Sequence, residues 1–393
     1  MRSDFLLHGE IPSLVDLKIL RLEYGRKLKS GLSLEAGFKS TFSATDNNIR
    51  YDTVVNGVFY KDIFRTNAYV YQENVAAGYA SLSRFTKKTG WTAGLRYEMA
   101  DVYGQTAGQD KLRRKFQGLL PNFSFRYTTG KNSRVVVSAR KVLSRPDFFK
   151  LNPFIQYVNQ NFYYQGNPDL RQFNIYITSL KYTYKKYSIT LRYDHTYNYI
   201  PQELLVREGS SLITKATYAN AADLKGLQFT VYMPFEPFKW WSSYNNINVF
   251  HVNVSARDAR YSGLDFSNTN ASIFSSNIFK LPLNIFGEVN LFMGTNSRNN
   301  QTTYFGNYGL DIRLTRSFLK DALKLSAVFD DVTYQSVKWG YSEYNGITNN
   351  FHVKSDTRRL GIAASVQFGR RKVAERRQRS MGTEEEENRI KKL

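Results

Sequence analysis

The amino-acid sequence alternates between apolar and polar residues over long stretches. The clearest stretch spans residues 187–199, in which Leu191 and Tyr193 belong to an apolar series while Arg192 and Asp194 belong to a polar one. Because successive side chains of a β-strand point to opposite faces, this pattern predicts a strand with one apolar and one polar face. The stretch is also longer than the roughly 9–11 residues that a tilted strand needs to cross a bilayer.

The same two-residue period recurs along the chain, and no segment before residue 369 shows a sustained helical period. The connections between the predicted strands alternate between short turns and longer loops, of which 44–71, 146–172 and 333–355 are the longest. Fifteen strands are predicted, at residues 15–26, 31–43, 72–86, 90–103, 115–128, 133–145, 173–184, 187–199, 212–234, 239–254, 265–280, 284–295, 304–316, 322–332 and 356–368.

Composition is compatible with a membrane β-protein. The mean hydropathy of −0.47 is that of a soluble chain, but barrels that alternate lipid-facing and lumen-facing residues show an equally unremarkable average. No run of 18 apolar residues predicts a transmembrane helix. The net charge of +22 is spread along the strands and not gathered in one basic stripe, so the sequence does not favour nucleic-acid binding.

Residues that carry catalysis are not arranged in recognisable sites. The chain has no cysteine, which excludes thiolate metal sites and cysteine nucleophiles. Its four histidines are scattered without metal-ligand spacing, and neither a phosphate-binding loop nor a Gly-x-Ser-x-Gly elbow is present. We therefore expect no catalytic, cofactor or metal site, and no enzyme activity.

The predicted fold is all-β: an antiparallel transmembrane β-barrel with short periplasmic turns and long extracellular loops. Residues 1–368 form the barrel and residues 369–393 a charged periplasmic tail. Because a bacterial single-chain barrel has an even number of strands, fifteen strands suggest the C-terminal part of a larger barrel. Two alternatives remain open, a self-contained porin or surface adhesin of 14–16 strands and a soluble β-protein.

The motifs Ser144-Arg145-Pro146, Asn152-Pro153-Phe154 and Gly166-Asn167-Pro168-Asp169-Leu170 follow one another in the chain, and Tyr218-Ala219-Asn220 comes after them. These motifs resemble the barrel of TonB-dependent outer-membrane receptors, specifically the Bacteroidota-type outer-membrane β-barrel family, and the run from Arg145 to Leu170 is their most specific part. The resemblance extends over roughly residues 70–370. It implies a 22-stranded barrel closed by an N-terminal plug, with transport driven by an inner-membrane TonB complex. Neither a plug nor a TonB-contact segment is recognisable in this sequence.

The resemblance and the strand pattern together predict a receptor barrel in the bacterial outer membrane, for TonB-dependent uptake of a bulky nutrient. The expected partners are outer-membrane lipids and lipopolysaccharide, the TonB complex for a full-length family member, and an unidentified nutrient. Strand phase predicts lumen-facing charges at Arg96, Glu98, Arg126, Arg192, Asp194, Asp311 and Arg313.

A second group of candidate residues lies in the predicted extracellular loop 146–172. Its aromatic side chains would either stack on a flat ligand or, as the favoured interpretation, pack the loop against its neighbours. These aromatic residues are Phe148, Phe149, Phe154, Tyr157, Phe162, Tyr163 and Tyr164.

Overall fold

A computed structural model describes most of the chain between residues 6 and 368. The predicted tail, residues 369–393, lies outside the described residues. No helix in the described part of the chain is long and apolar enough to cross a membrane. The described ranges are 6–10, 12–29, 31–55, 57–63, 66–106, 111–159, 161–201, 204–207, 213–344 and 347–368.

The described chain consists almost entirely of β-strands, with one short α-helix, α1 (Phe148–Leu151), and one 3-10 segment, Ala259–Leu264. The strands are β1 (Leu6–Glu10), β2 (Ser13–Lys27), β3 (Leu32–Val55), β4 (Val58–Lys61), β5 (Asn67–Phe85), β6 (Thr89–Thr106), β7 (Lys111–Gly130), β8 (Ser133–Ser144), β9 (Ile155–Asn159), β10 (Phe162–Gln165), β11 (Phe173–Tyr184), β12 (Tyr187–Tyr199), β13 (Leu204–Arg207), β14 (Thr214–Thr217), β15 (Ala222–Phe238), β16 (Trp241–Ala256), β17 (Phe266–Leu281), β18 (Ile285–Gly294), β19 (Ser297–Asn299), β20 (Thr302–Tyr304), β21 (Asn307–Phe318), β22 (Leu323–Asp330), β23 (Val337–Tyr344), β24 (Ile347–Lys354) and β25 (Arg359–Val366).

Fifteen of these strands form one antiparallel meander. Each pairs with the next in the order β2, β3, β5, β6, β7, β8, β11, β12, β15, β16, β17, β18, β21, β22, β25. Each overlaps one of the fifteen predicted strands, so the all-β antiparallel prediction is confirmed, although β3 and β5 extend well into the predicted loop 44–71. β1 and β4 extend the sheet by pairing with the far end of β3.

One predicted strand, 212–234, is wrong at its start. The segment Thr214–Thr217 is β14, which pairs with β13 and β10 outside the main sheet, and the meander strand β15 begins only at Ala222. The intervening residues Tyr218, Ala219 and Ala221 are buried, the two alanines in a cluster with Val252 and Val254 of β16. The chain therefore leaves one sheet and enters another between residues 217 and 222, although the alternation of apolar and polar residues predicts a single strand over 212–234.

Short and long connections lie at opposite rims of the sheet, as the sequence predicts. The connections β2–β3, β5–β6, β7–β8, β11–β12, β15–β16, β17–β18 and β21–β22 are short turns. Several long connections carry strands of their own. β9, β10, β13 and β14 form one small sheet, and β19, β20, β23 and β24 form another. The side-chain amide of Gln301 accepts a hydrogen bond from the N–H of Leu205 at 3.0 Å and so links the two loop sheets.

The two faces of the main sheet differ in polarity. Leu95, Tyr97 and Met99 of β6 are exposed on one face, whereas the intervening Arg96 is half-buried and Glu98 is buried on the other. Leu191 of β12 is 43% exposed on the apolar face. An apolar outer surface on a sheet whose other face is polar is the arrangement of a membrane barrel and not of a soluble sandwich.

The strands β2 and β25 are the two edges of the meander. Among the described residues no ladder joins them, and each pairs on one side only. Ile362 of β25 is 88% exposed, about twice the exposure of Leu191 in the middle of the sheet. Unpaired backbone groups at such an edge are costly in hydrocarbon, so both edges are places where further strands can add.

Candidate functional site

The candidate functional site is the polar face of the meander, called here the inner face. Residues directly opposite each other on antiparallel strands share a face, so the register can be followed from strand to strand. Arg192 pairs with Ser179 and Gln228, and Arg313 pairs with Glu288. Followed across the ladders, this register places all seven charges predicted from strand phase on the inner face, namely Arg96, Glu98, Arg126, Arg192, Asp194, Asp311 and Arg313. Contact of these residues with a ligand stays a prediction.

The long connection between β8 and β11 folds back onto the inner face. Its helix α1 places Phe148 and Leu151 against Tyr69 and Tyr71 of β5, which are inner-face residues. The rings of Phe148 and Tyr69 lie 5.2 Å apart, and those of Phe148 and Tyr71 5.4 Å apart. The same apolar cluster includes Val102 and Phe116 of the neighbouring strands. The loop therefore lies within the mouth formed by the long-loop rim and not above it.

Local hydrogen bonds explain why this loop folds inward. Asp147 caps α1 by accepting from the N–H of Lys150 at 3.0 Å. The N–H of Gly166 donates to the carbonyl oxygen of Asn152 at 2.9 Å. An added Cβ on Gly166 would lie 2.3 Å from that oxygen, so only glycine fits there. The motif Gly166-Asn167-Pro168-Asp169-Leu170 thus closes the loop on itself.

A further set of amide contacts ties this loop to the next one. The side chain of Asn167 donates to the carbonyl oxygen of Tyr218 at 2.9 Å. Asn220 accepts from the N–H of Arg171 at 2.8 Å and donates to the carbonyl oxygen of Asn198 at 2.9 Å. The motif residues that carry the family resemblance are therefore brought together in space, and in the described structure they serve loop architecture.

The aromatic residues predicted in loop 146–172 do not form one surface. Phe148 and Tyr163 are buried, whereas Tyr157 is about half-exposed. Phe149 contacts Tyr164 and Tyr218 with ring centroids 6.4 and 6.3 Å apart. These contacts favour packing of the loop over an open aromatic platform, and Tyr157 is the member best placed to meet a solute.

Beneath the loop lies a buried ion-pair network formed by Arg145, Glu73, Glu98 and Arg96. Arg145 follows the last residue of β8, and its side chain is 6% exposed. Its guanidinium binds Glu73 at 3.2 Å and also contacts Glu98. Arg96 donates to the second carboxylate oxygen of Glu98 at 2.7 Å. Two cations and two carboxylates thus balance in a region where an isolated charge would be strongly destabilising.

A large concavity, called here the basic cavity, opens on the inner face between this network and the short turns. Its volume is about 1040 Å³, and its lining comes from eight strands between β2 and β12 of the meander. One concavity lined from so many strands requires the sheet to curve around it, as a barrel wall does. Its inner-face cations are Arg21, Lys39, Arg96, Arg140 and Arg192.

A separate cluster lies at the base of the last long loop, where Asp331 follows β22. Asp331 is buried and accepts hydrogen bonds from Thr357 Oγ1 at 2.6 Å and from the backbone N–H groups of Gln335 and Ser336. Burial would raise the pKa of Asp331, but these hydrogen bonds hold its pKa below the ordinary value. The carboxylate therefore fastens the two ends of the loop that carries β23 and β24.

No group of three or more histidine, aspartate or glutamate side chains suited to a metal ion occurs within the described ranges. Strand phase identified Glu98 and Arg96 but missed their partners Glu73 and Arg145. Glu73 lies in the predicted strand 72–86, on the same face as the apolar residues Val75 and Ala77, so alternation does not single it out as lumen-facing. Arg145 belongs to the motif Ser144-Arg145-Pro146 and lies just beyond the end of β8, so strand phase does not give its direction.

Sequence comparison identifies one matching family model, described as the outer membrane protein beta-barrel family, over residues 4–368. Comparison with curated proteins finds no match.

Solved structures with a similar fold are outer-membrane proteins. The ferric yersiniabactin uptake receptor FyuA from Yersinia pestis is similar with a TM-score of 0.66 at 13% identity, covering 92% of this chain and 56% of that one. The ferric citrate transporter FecA gives a TM-score of 0.64 at 11% identity, with 94% and 56% covered. The copper transporter OprC gives 0.63 at 12% identity, with 91% and 58% covered. At such identities the similarity shows the fold, and this chain spans a little over half the length of these structures.

Proposed function

The chain belongs to the outer membrane protein beta-barrel family of the bacterial outer membrane, and from this premise we propose that it forms the wall and mouth of a TonB-dependent uptake receptor. The observation that carries the proposal is the loop 146–172, which folds into the mouth, packs on the inner face through an apolar cluster, and follows directly after Arg145 of the buried ion-pair network. A mouth narrowed by ordered loops favours selective capture of a solute over open diffusion.

The proposed substrate is a bulky nutrient. A cavity of about 1040 Å³ is at the upper end of the volumes that hold drug-sized ligands. The similar structures are those of a ferric yersiniabactin uptake receptor, a ferric citrate transporter and a copper transporter. Chelated metal ions are therefore the first compounds to examine.

Completion of the barrel is part of the proposal. The free edges of β2 and β25 and the partial coverage of the similar structures support additional strands that join these edges, together with a plug domain. In lipid each unsatisfied backbone group at a strand edge destabilises the protein by several kcal/mol, so pairing of both edges to close the barrel is strongly favoured.

The test is uptake in the native bacterium with and without the encoding gene. We expect the deletion strain to lose accumulation of one radiolabelled metal chelate from a panel, and collapse of the inner-membrane proton gradient to abolish the same uptake in the parent. Small sugars should enter both strains equally. Uptake that persists after the gradient collapses would contradict the proposal and support the porin alternative.

A further inference from the structure

The outer face of the meander, which lies opposite the inner face, changes its chemistry near the long-loop rim. In the middle of the sheet Leu191 of β12 pairs in register with Phe229 of β15, so the outer face is apolar there. Four residues closer to the rim on the same two strands, His195 pairs with Lys225. Followed across the ladders, this polar row consists of Lys141, Tyr176, His195 and Lys225.

The position of the polar row matches the border between lipid tails and lipid headgroups. Each of its members lies three or four residues from the long-loop end of its strand. Outer-membrane barrels place an apolar band against the lipid tails and aromatic side chains at the borders of that band. The row lies on central strands of the sheet and on its outer face, so neither a plug inside the barrel nor strands added at β2 and β25 would cover it.

Two tyrosine rings lie between the two lysines of the row. Tyr176 and Tyr197 are 44% and 42% exposed, and their ring centres lie 5.7 Å apart. The ring of His195 lies 4.0 Å from that of Tyr197, and Nζ of Lys141 lies 5.7 Å from the ring centre of Tyr176. Lys141 and Lys225 are on strands separated by three ladders, which places their Cα atoms about 14 Å apart.

The two lysines are not neutralised by the protein. Neither has a carboxylate within ion-pair distance in the part of the chain that the structure describes. Asp223, two residues from Lys225 on the same face, is already bound by Arg257 at 3.0 Å. Asp194, the neighbour of His195 in the chain, lies on the inner face. Both ammonium groups are therefore available to an external anion, and an ammonium group is a strong hydrogen-bond donor to phosphate oxygens.

From this arrangement we propose that Lys141, Tyr176, Tyr197 and Lys225 bind the headgroup of a phosphorylated glycolipid in the outer leaflet. The two lysines bind phosphate groups at opposite ends of the headgroup. The exposed tyrosine rings lie under the sugar between them, because a tyrosine combines an apolar ring face with a polar tip. The proposal goes beyond the uptake function, since it concerns the outer face of the wall and involves no transported solute.

The experiment is native mass spectrometry of the full chain, purified in detergent and titrated with bisphosphorylated lipid A, monophosphorylated lipid A, phosphatidylglycerol or inorganic phosphate. We expect bisphosphorylated lipid A to bind most tightly. Lys141→Gln and Lys225→Gln should each weaken its binding about fivefold, because one basic residue near an anionic lipid surface contributes about that factor. Lys225→Arg, which keeps the charge, should retain most of the affinity.

Arg316→Gln is the matched control. Arg316 is also an outer-face cation beside an aromatic ring, 5.0 Å from the ring centre of Phe318, but it lies near the short-turn end of β21. Its change removes an equal charge and should alter the affinity for lipid A less than twofold. Equal loss in Arg316→Gln and Lys225→Gln, or unchanged binding when both lysines are replaced, would overturn the proposal. Binding of phosphatidylglycerol or inorganic phosphate as tightly as lipid A would overturn the assignment to a glycolipid.

Discussion

Removal of Arg145 should release the loop 146–172 from the inner face. The guanidinium is 6% exposed, and its partners Glu73 and Glu98 are 8% and 10% exposed. In Arg145→Met, Glu98 keeps Arg96, but Glu73 loses the cation at 3.2 Å. Truncating one partner of a buried ion pair costs about 3–5 kcal/mol, because the remaining charge stays desolvated.

The docked loop provides a local measure of this loss. The amides of Gly166 and Asn167 donate to carbonyl oxygens within the loop at 2.9 and 2.6 Å. Their hydrogen exchange reports the free energy of local opening. Since 1.4 kcal/mol corresponds to a factor of ten, exchange at these amides should accelerate roughly 100- to 4000-fold. Mass spectrometry of deuterium uptake in detergent would measure the rate.

The matched control is Arg113→Met, since Arg113 pairs at 3.4 Å with Asp101 and is 70% exposed. Such surface pairs contribute about 0–1 kcal/mol, so loop exchange should change less than about fivefold. Adding Glu73→Gln to Arg145→Met should restore part of the protection, because it removes the buried carboxylate that has lost its arginine. Unchanged loop exchange in Arg145→Met, or equal acceleration in Arg113→Met, would refute the anchoring role of the network.

Three further outcomes follow from the same structure. Gly166→Ala should undock the loop, because the new Cβ meets the carbonyl oxygen of Asn152 at 2.3 Å, and faster proteolysis of the loop would reveal it. Leu191→Arg should lower the free energy of unfolding by about 2 kcal/mol or more in lipid, whereas Thr190→Arg on the inner face should change it much less, as urea titrations would measure. Because the pKa of Asp331 is lowered, its ionised form stabilises the loop base fully at a pH above the ordinary pKa of 3.8. This stabilisation is lost as the pH falls through the lowered pKa. Pepsin cleavage of 333–355 should therefore accelerate on acidification, and less so in Asp331→Asn, whose loop base is already weakened at neutral pH.

Much of this protein was predictable from the sequence. The alternation around Leu191 and Arg192 determines both the strand and its two faces, because side chains of a strand alternate with a strict period of two. The same rule identified the fifteen strands and the rims at which short and long connections lie. It assigned Arg96 and Glu98 to the polar face, and the register of the sheet agrees.

Only the tertiary structure decided what those residues contact. Arg145 and Glu73 are 72 positions apart in the chain and meet because β5, β6, β7 and β8 lie side by side and the following loop turns inward. The strand period specifies a face but not a neighbour along it, since neighbours depend on the register of every ladder between them. The split of 212–234 into β14 and β15 has the same origin: a local pattern cannot tell which of two sheets a strand will join.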